Sequence, residues 1–470
     1  MQTAGEWTNP GRVAWWGRPW REPAKKLREA HVARGALLLM GSFLLSALLG
    51  AFQQALFNAR FGAGAEASAF YAATRLPNLL YGLVGGRALF SALIPVLVAD
   101  ERERGPEGVS ELTSIVLNAL VPAMLLVVLL GELGAPGLVA TAIAPGFDDA
   151  TSQLTAVLTR VMLVQPLILI VASVAIALQN SRNQFALGAI SYASHNVALV
   201  GGIVLSWLYP PIGVLGPALG FVASGFLQLA LVIPGLVGRF EYRFLWRPWD
   251  RRLHDVVRSL VPNGLWVGVG YAGAVLDTAL ASKTSDPAAV AALYNALLLI
   301  GLPISLLGKA VGQSGFPALA ACAAAGEWRR MRTVTLRTVG TVLLLAVPTA
   351  AALIVAGRPL IHVVFEHGRF DSHAADLTDR LLVVYALGLP AYVASEVVAR
   401  GLIALRDSRT PLLTKTAQLV VRAAATLAIL DPVGVVAIPA LFAATATLEV
   451  LALGAILVAR IRHRELREAA

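Results

Sequence analysis

Runs of apolar residues long enough to cross a membrane recur along almost the whole chain, and they constrain its fold more than any motif does. A helix needs about 20 apolar residues to span the hydrocarbon layer of a bilayer. Such windows fall near residues 35–58, 69–99, 111–131, 153–178, 184–207, 212–236, 255–281, 288–318, 334–356, 378–403, 411–430 and 433–459. Only 14% of the residues are charged and 57% are hydrophobic, which excludes a soluble globule because soluble domains carry about 25% charged residues. We therefore predict an all-α, polytopic membrane protein of about twelve transmembrane helices.

Basic residues cluster in every second connection between these windows. Most of the 38 Lys and Arg lie in the amino-terminal segment, in the connections after even-numbered windows and in the carboxyl-terminal segment, whereas the other connections carry Arg60, Lys283, Arg358 and Arg369. Loops rich in Lys and Arg stay on the cytoplasmic side, so both termini are predicted to be cytoplasmic. The net charge of +10 then faces anionic lipid, and nucleic acid is not an expected partner.

The longest basic connection divides the windows into two sets of six. The predicted organisation is a basic interfacial segment (1–34), an amino-terminal lobe (35–237), a linker (238–254), a carboxy-terminal lobe (255–459) and a cytoplasmic tail (460–470). Because six is an even number, two homologous lobes would share one orientation and be related by an axis along the membrane normal. This organisation predicts two pseudo-symmetric six-helix lobes around a central cavity.

Short echoes in the sequence indicate that the two lobes are copies. The tripeptide GRA, which starts at Gly86, recurs as GKA from Gly308 at an offset of 222. The hexapeptide ALQNSR from Ala177 resembles ALRDSR from Ala404 at an offset of 227, and the dipeptide FD before these segments recurs at 223. Internal repeats of this kind are typical of transporter folds.

The segment RLPNLLYGLVGGRALFSALIP, which begins at Arg75, places two arginines inside an apolar window. A cation at the centre of a bilayer costs about 2.5–3.5 kcal/mol on insertion scales, so it usually faces a protein interior or a water-filled cavity. Arg75 and Arg87 would stand about 18 Å apart along an ideal helix. Both can contact one headgroup only if Gly85 and Gly86 bend the span. The segment is therefore predicted to form a cavity wall.

Three cations could meet in that cavity, because Lys309 occupies the repeat position of Arg87 and Arg75 lies on the same span. The planar fork of arginine and the compact charge of lysine both suit a diphosphate group. The alternative is that these side chains snorkel to an interface or pair with helix carbonyls. The residues predicted to bind substrate are Arg75, Arg87, Lys309, Arg160 and Gln53.

Several segments, taken in order, resemble those of one family. They are FGAGAEASAFYAATRLPNLL, ALFSALIPVL, APGF, ALQNSRNQF, LPISLLGKAVGQSGFPALA, FEHGRFD and GLIALRDSRTP. In this order they are similar to segments of the MurJ/MviN lipid II flippases, in the multidrug/oligosaccharidyl-lipid/polysaccharide exporter superfamily. The resemblance implies two six-helix bundles around a V-shaped cavity. It also implies a transporter of the bacterial inner membrane that carries an undecaprenyl-linked peptidoglycan precursor, lipid II, to the outer leaflet by alternating access for cell-wall synthesis.

The chain departs from that family at several positions that members usually keep charged. It has Gln53 or Gln54 at an arginine position of the first span, Ser68 at an acidic position, Arg87 at a glutamate position and Leu298 at an arginine position. These departures leave three other functions open: a flippase for another lipid-linked oligosaccharide, a cation-coupled multidrug exporter, and a non-transporting envelope scaffold. A cationic cavity would favour a diphosphate cargo, an apolar or acidic cavity would favour cationic drugs, and the lack of a cavity would favour a scaffold.

Asp277 matches an aspartate that several members of the family use in a sodium site. The eleventh window contributes Arg422 and Thr426 there rather than a carboxylate. One hypothesis is that Arg422 replaces the ion and pairs with Asp277. The alternative is that Asp277 caps a helix or loop near the outer surface. Coupling to Na⁺, to H⁺ or to the membrane potential stays open.

Other acids in the apolar windows are candidates for coupling or for structural pairing. Glu449 stands alone in the twelfth window, where it could act as a proton-coupling carboxylate or pair with Arg422. Glu396 and Arg400 are spaced i, i+4, which allows a structural ion pair on one helix face.

Motifs of catalysis are missing from the sequence. It contains no GxxxxGK[ST] phosphate loop, no HExxH zinc motif and no GxSxG nucleophile elbow, so an enzyme is not predicted. No metal site is assigned and no bound cofactor is expected. The expected partners of the protein, predicted to be a monomer, are a lipid-linked saccharide, membrane lipids and the cell-wall synthesis machinery.

Overall fold

The structure, a computed structural model, describes residues 46–469, without the side chains of residues 309–314 and 467–469. The predicted interfacial segment 1–34 and the start of the first window lie outside the described residues. The helices are α1 (46–61), α2 (Ala65–Ala73), α3 (Arg75–Val84), α4 (Gly86–Leu138), α5 (Asp149–Ser181), α6 (Ala186–Ser191), α7 (Ser194–Leu208), α8 (Leu215–Val232), α9 (Arg251–Ser282), α10 (Ala289–Pro303), α11 (Gly312–Ala324), α12 (Trp328–Val364), α13 (Ser372–Ala404), α14 (Arg409–Val433) and α15 (Ala437–Ala469). The segments Val139–Ile143 and Ile304–Val311 are π-helical. Helix α15 continues through most of the predicted tail.

Nine helical stretches of the described residues are long and apolar enough to cross a membrane. The stretch Ala65–Ile143 has 79 residues, and a straight helix of that length would measure about 120 Å, several times the thickness of a bilayer. It turns at Gly105, where φ is 68° and ψ is −163°. The stretch Arg409–Leu466 turns at Gly434, where φ is 70° and ψ is −158°. Each of these two stretches therefore supplies two passes, which agrees with the predicted windows.

The structures of α5 and α13 confirm that the two lobes are repeats. Both helices have 33 residues, and each is followed by a residue in the left-handed region, Asn183 (φ 60°) and Arg406 (φ 63°). These equivalences hold at the offset of 223 predicted from the FD dipeptides. The similar hexapeptides recur at 227, so they are displaced by four residues, about one helical turn, from the spacing of these helices.

The two halves of the chain, α1–α8 and α9–α15, meet closely at one end of the helix bundle. We call the end that carries the connection 238–250 the linker face. The opposite end, which carries the connections 144–148, 283–288 and 365–371, is the far face. Near the far face one apolar core joins both halves, and its buried side chains include Phe57, Tyr71, Leu293, Phe365 and Tyr385.

Near the linker face the two halves have separate apolar cores. The first contains Leu89, Leu93 and Leu112 of α4 together with Leu253 and Leu260 from the start of α9. The second contains Leu319, Met331, Leu402 and Leu457. Since these cores do not merge, the halves diverge toward the linker face. The start of α9 packs with the first half, although sequence order places α9 in the second.

Hydrogen bonds from backbone N–H groups join the two halves at the far face. The N–H of Arg369 donates to the carbonyl oxygen of Ala59 (2.9 Å), and the N–H of Gly146 donates to Ser282 Oγ (3.1 Å). A Cβ atom on Gly146 would lie 2.2 Å from the Ser282 carbonyl oxygen, and one on Gly62 would lie 2.5 Å from the Arg369 carbonyl oxygen. The far face therefore closes at positions where only glycine fits.

Polar side chains fix the linker to the first half. Asn118 Nδ2 donates to the carbonyl oxygen of Leu245 (3.1 Å). Arg252 Nη1 lies 3.2 Å from Asp100 Oδ2, and Arg252 Nη2 lies 2.8 Å from Asp250 Oδ2. Hydrogen bonds from Arg252 hold the pKa of Asp250 below its ordinary value. The linker and the beginning of α9 thus form one unit with α4.

Candidate transport cavity and buried polar sites

A cavity of about 620 Å³ lies between the two halves of the protein. Its walls come from the α3–α4 junction, the middle of α9 and the end of α10. The lining residues are Tyr81, Gly82, Gly85, Gly86, Arg87, Val267, Gly270, Tyr271, Ala274, Leu297 and Gly301. The chain breaks at the two adjacent glycines, since Gly86 has a φ of 50° and α3 ends at Val84. This break lies on the wall where the sequence analysis placed it.

Arg87 lines this cavity and is exposed to it. Tyr192 and Tyr271 lie within electrostatic range of its guanidinium. Arg400, on α13 of the other half, also lies within electrostatic range. Two cations within electrostatic range repel each other unless an anion lies between them. Sequence reasoning assigned Arg400 to a structural pair and missed this relation to Arg87.

Arg75 lies deeper than Arg87, at the beginning of α3. Its Nε donates to Thr278 Oγ1 on α9 (2.7 Å), and its guanidinium lies 5.5 Å from the centre of the Tyr294 ring. Among the described residues, Arg75 Nη2 is buried without a hydrogen-bond partner. Thr278 lies about two turns, or about 10 Å, along α9 from the cavity-lining Tyr271. Arg75 therefore contacts α9 at a different level from the part of the wall that Tyr271 forms.

The side chain of Lys309 lies outside the described residues. Its backbone belongs to the π-helical segment that follows α10. Arg400 Nη1 donates to the carbonyl oxygen of Gly308 in that segment (3.1 Å). The repeat positions Gly86 and Gly308 therefore both occupy irregular backbone, and π-helical segments inside helices are frequent at functional sites. Substrate binding by Lys309 stays a prediction.

The other two predicted substrate-binding residues do not line the cavity. Arg160 is exposed on α5, and its Nε donates to the carbonyl oxygen of Glu132 on α4 (3.0 Å). Gln53 is half-buried on α1. Its neighbour Gln54 is 2% exposed and makes the buried contacts instead. The roles assigned to Arg160 and Gln53 stay predictions without support from the cavity geometry.

Four buried polar side chains form a cluster that connects the two halves. Gln54 Nε2 lies 2.9 Å from Asn295 Oδ1 and 3.0 Å from Asn58 Oδ1. It also lies 2.5 Å from the hydroxyl of Tyr71. Asn58 Nδ2 donates to Asn295 Oδ1 (3.0 Å). We call these residues the amide cluster. The sequence signal that could have found it is the i, i+4 spacing of Gln54 and Asn58 in an apolar window.

Asp277 and Arg422 form a buried ion pair between α9 and α14. Arg422 Nη2 lies 3.2 Å from Asp277 Oδ1, and each side chain is 6% exposed. The pairing suggested by the sequence is therefore present, whereas its role in transport stays a prediction. Thr426 is fully buried, and its hydroxyl has no hydrogen-bond partner among the described residues. The hypothesis that Asp277 caps a helix does not account for this pairing.

Glu449 pairs with Lys415 rather than with Arg422. Lys415 Nζ lies 3.7 Å from Glu449 Oε2 and 4.5 Å from the centre of the Tyr392 ring. Glu396 also lies within electrostatic range of this pair. The sequence analysis considered Arg422 of the same neighbouring window as the partner and did not consider Lys415. The predicted ion pair of Glu396 with Arg400 stays a prediction.

Comparison with known proteins identifies the family. A sequence model described as "Lipid II flippase MurJ" matches residues 57–467 of the chain. A protein of Rhizobium meliloti named "Probable lipid II flippase MurJ" is 30% identical over 384 residues, which cover 79% of this chain and 70% of that protein.

Solved structures share the fold. The structure described as "Lipid II flippase MurJ, inward closed conformation" superposes with a TM-score of 0.77 at 22% identity, and covers 89% of this chain and 86% of that chain. An inward-facing multidrug resistance MATE family transporter of the MOP superfamily superposes with a TM-score of 0.73 at 12% identity, and covers 89% of this chain and 95% of that chain. These likenesses show the fold of two pseudo-symmetric helical lobes. Because the family model spans most of the sequence, the chain belongs to the MurJ family of lipid II flippases.

Proposed function

We propose that this protein is an integral inner-membrane transporter that moves lipid II between leaflets by alternating access. The single observation that carries this proposal is a cavity between the halves that is lined by Arg87, with Arg400 of the opposite half within electrostatic range of it. A diphosphate group has the charge that these arginines attract, and arginine can bind it with two parallel hydrogen bonds. Family membership supplies the identity of the cargo.

The cargo would contact the cavity at two levels. Arg87 and Arg400 would bind the diphosphate near the break in the second span. Arg75 would contact the part of the headgroup that reaches toward the far face, since its free Nη2 is buried there. Lys309 would add a fourth cation from the repeat position of Arg87. The far-face contacts must then break for release on the other side.

The proposed orientation places the linker face in the cytoplasm. The linker carries Arg239, Arg243 and Arg247, all on the side that the charge rule assigns to the cytoplasm. In this orientation the diverging ends of the two halves face the leaflet in which the cargo is made. The far face then lies on the outer side of the membrane, and the cell-wall synthesis machinery is the partner expected there.

Coupling would involve the buried pair of Asp277 and Arg422. Arg422 occupies the place of a cation beside Asp277, so we expect transport that does not depend on sodium. Sodium-dependent uptake that disappears in Asp277→Ala would refute this proposal. Proton coupling through Glu449 is a separate possibility, in which protonation would release Lys415.

Complementation of a strain depleted of its lipid II flippase tests the proposed function directly. The wild-type protein should restore growth and raise the amount of lipid II in the outer leaflet, and Arg75→Ala combined with Arg87→Ala should abolish both effects. Arg330→Ala is the matched control, because Arg330 pairs with Glu327 on an exposed turn and does not line the cavity. If well-expressed wild type fails, lipid II is not the cargo. If the double variant works as well as wild type, the arginines do not bind the diphosphate.

A flippase for another lipid-linked oligosaccharide is the second candidate. The amide cluster favours it, because uncharged Gln54 stands near the position at which the family usually has an arginine. Such a protein would use the same diphosphate site and fail to restore lipid II transport. A cationic drug is a poor fit, since Arg87 and Arg400 would repel it.

A further inference from the structure

The amide cluster lies between the cavity and the far face. Gln54 and Asn58 belong to α1 and Tyr71 to α2, whereas Asn295 belongs to α10 of the other half. Their side chains are between 0% and 2% exposed. Asn295 lies about half a turn from the cavity-lining Leu297, on another side of α10. The cluster is therefore buried behind the cavity wall rather than exposed in the cavity.

The donors and acceptors of the cluster do not match one to one. Gln54 Nε2 carries two hydrogens but lies within 3.0 Å of three acceptors, on Asn58, Tyr71 and Asn295. The amide of Asn295 also lies 3.5 Å from Asn58 Oδ1, a long hydrogen bond. Buried amides cost about 1–3 kcal/mol when left unpaired. Groups that satisfy one another in this way can accept external hydrogen-bond partners when the halves separate.

Aromatic and cationic groups adjoin the cluster. The rings of Tyr71 and Tyr294 stack with their centres 3.9 Å apart and an interplanar angle of 15°. The guanidinium of Arg75 lies over the Tyr294 ring, and its Nη2 is buried without a partner among the described residues. Amides, aromatic faces and an adjacent cation together suit a ligand with hydroxyl and amide groups next to a phosphate.

We propose that the amide cluster is a binding subsite for the hydroxyl- and amide-bearing part of the cargo, and that in the present conformation it is closed by pairing with itself. This proposal rests on the proposed function and deepens it. When the far face opens, Asn295 separates from Gln54 and Asn58, and hydroxyl or amide groups of the saccharide and peptide replace the lost hydrogen bonds. The cargo then stabilises the open conformation by its greater affinity for that state.

A purely structural network is the competing account of these four residues. Gln165 offers a matched control, because it is also a buried glutamine, 3% exposed. Its Nε2 donates to the carbonyl oxygen of Phe221 and to Ser224 Oγ, both at 2.8 Å. These partners belong to α8, so all its contacts lie within one half. Replacement of Gln165 tests the loss of a buried amide without a change in the contact between halves.

The test measures the affinity of the full chain in lipid nanodiscs for two probes, lipid II and undecaprenyl diphosphate. The second probe has the diphosphate and lipid but lacks the saccharide and peptide. Gln54→Met should weaken lipid II binding by about fivefold, the equivalent of one ordinary hydrogen bond, and leave undecaprenyl diphosphate binding unchanged. Gln165→Met should leave both affinities unchanged. Tyr71→Phe, which removes one hydroxyl, should give the same selective loss in a variant less prone to misfolding.

Each outcome decides the proposal. Equal affinity changes for both probes, or unchanged lipid II affinity in Gln54→Met and Tyr71→Phe, would overturn the subsite. A wild-type protein that does not bind lipid II more tightly than undecaprenyl diphosphate would refute a headgroup subsite. A wild-type protein that binds neither probe would instead refute the proposed function, because the diphosphate site itself would be absent.

Discussion

The far face and the linker face close the same two halves by different means. At the far face, glycines bring main chains into contact and one apolar core crosses the boundary. At the linker face, each half has its own core. A shared core with main-chain contacts is stabilised by burial, whereas separate cores allow the halves to diverge. The difference indicates a structure closed at the far face and accessible toward the linker face.

Helix α9 takes part in both arrangements. Its beginning pairs with the first half through Arg252 and Asp100, and its last turns pair with α14 of the second half through Asp277 and Arg422. Rotation of one half against the other must therefore bend α9 or break one of these pairs. Gly268 and Gly270 lie between the two pairs, where a helix bends most easily.

The largest expected effect comes from breaking the ion pair near the far face. Asp277→Asn leaves the charge of Arg422 buried without a counter-ion, which should lower the free energy of unfolding by about 3–5 kcal/mol. Thermal unfolding of the purified protein measures this loss. The control is Asp277→Leu combined with Arg422→Leu, which removes both charges and should be nearly neutral. A double variant as unstable as the single one would show that packing, rather than charge, matters at this position.

A substitution in the cavity, on the linker-face side, should change the affinity for lipid II rather than the stability of the protein. Arg87→Gln removes charge-assisted hydrogen bonds, each with a net value of about 1.5–3 kcal/mol, so lipid II affinity should fall by about tenfold or more. Equilibrium binding in nanodiscs measures this change. Arg330→Gln, on the exposed turn, should bind like wild type. Unchanged affinity in Arg87→Gln would remove the cavity from the transport path.

Enlarging a far-face glycine should convert the closed face into an open one. Gly146→Val places side-chain atoms against the Ser282 carbonyl, and overpacking of this kind costs about 1–3 kcal/mol. A thiol reporter at Ser68, which is 1% exposed, in a Cys322→Ser background should then react at least about fivefold faster with an impermeant maleimide. Gly137→Val is the control, because a Cβ atom there meets nothing within 4 Å. Equal rates in both variants would contradict closure by glycine contacts.

Acid should weaken the packing of the linker on the first half, and this effect should be smaller than those of the substitutions above. The pKa of Asp250 is depressed in the folded protein, so its contribution is complete above the unfolded value of about 3.9 and is lost as the pH falls through the lower folded pKa. The effect should be at most about 1 kcal/mol because the pair is partly exposed. The protection factors of the amides of residues 240–247 against hydrogen exchange should fall below about pH 4. Asp250→Asn should remove this pH dependence, and an unchanged profile in that variant would exclude Asp250 as its source.

The fold could be predicted from the sequence because apolar windows and basic connections report directly on membrane passes. Repetition of motifs around Gly86 and Gly308 identified the two lobes, and the family followed from the order of the motifs. The hexapeptide at Ala404 gives a different offset from the helices, because its similar residues recur one helical turn away from the structural equivalence. Such a displacement is visible only in the backbone, through the left-handed residues Asn183 and Arg406.

The site was harder to predict, because its contacts join distant windows. Arg87 was found since a cation in an apolar span is conspicuous. Asn295 and Gln54 are uncharged and common in helices, so their contact across 241 positions has no local signal. Lys415 was likewise overlooked as the partner of Glu449, because a lysine near the end of a window resembles an interfacial residue.

The contact between Arg369 and Ala59 has a consequence for how sequences in this family can diverge. It is made by a peptide N–H and a carbonyl oxygen, which every residue other than proline possesses. Side chains of the far-face loops can therefore change during evolution while this main-chain contact is kept. Selection should act instead on Gly62, Gly146 and Gly368, where any side chain would clash with the backbone of the other half.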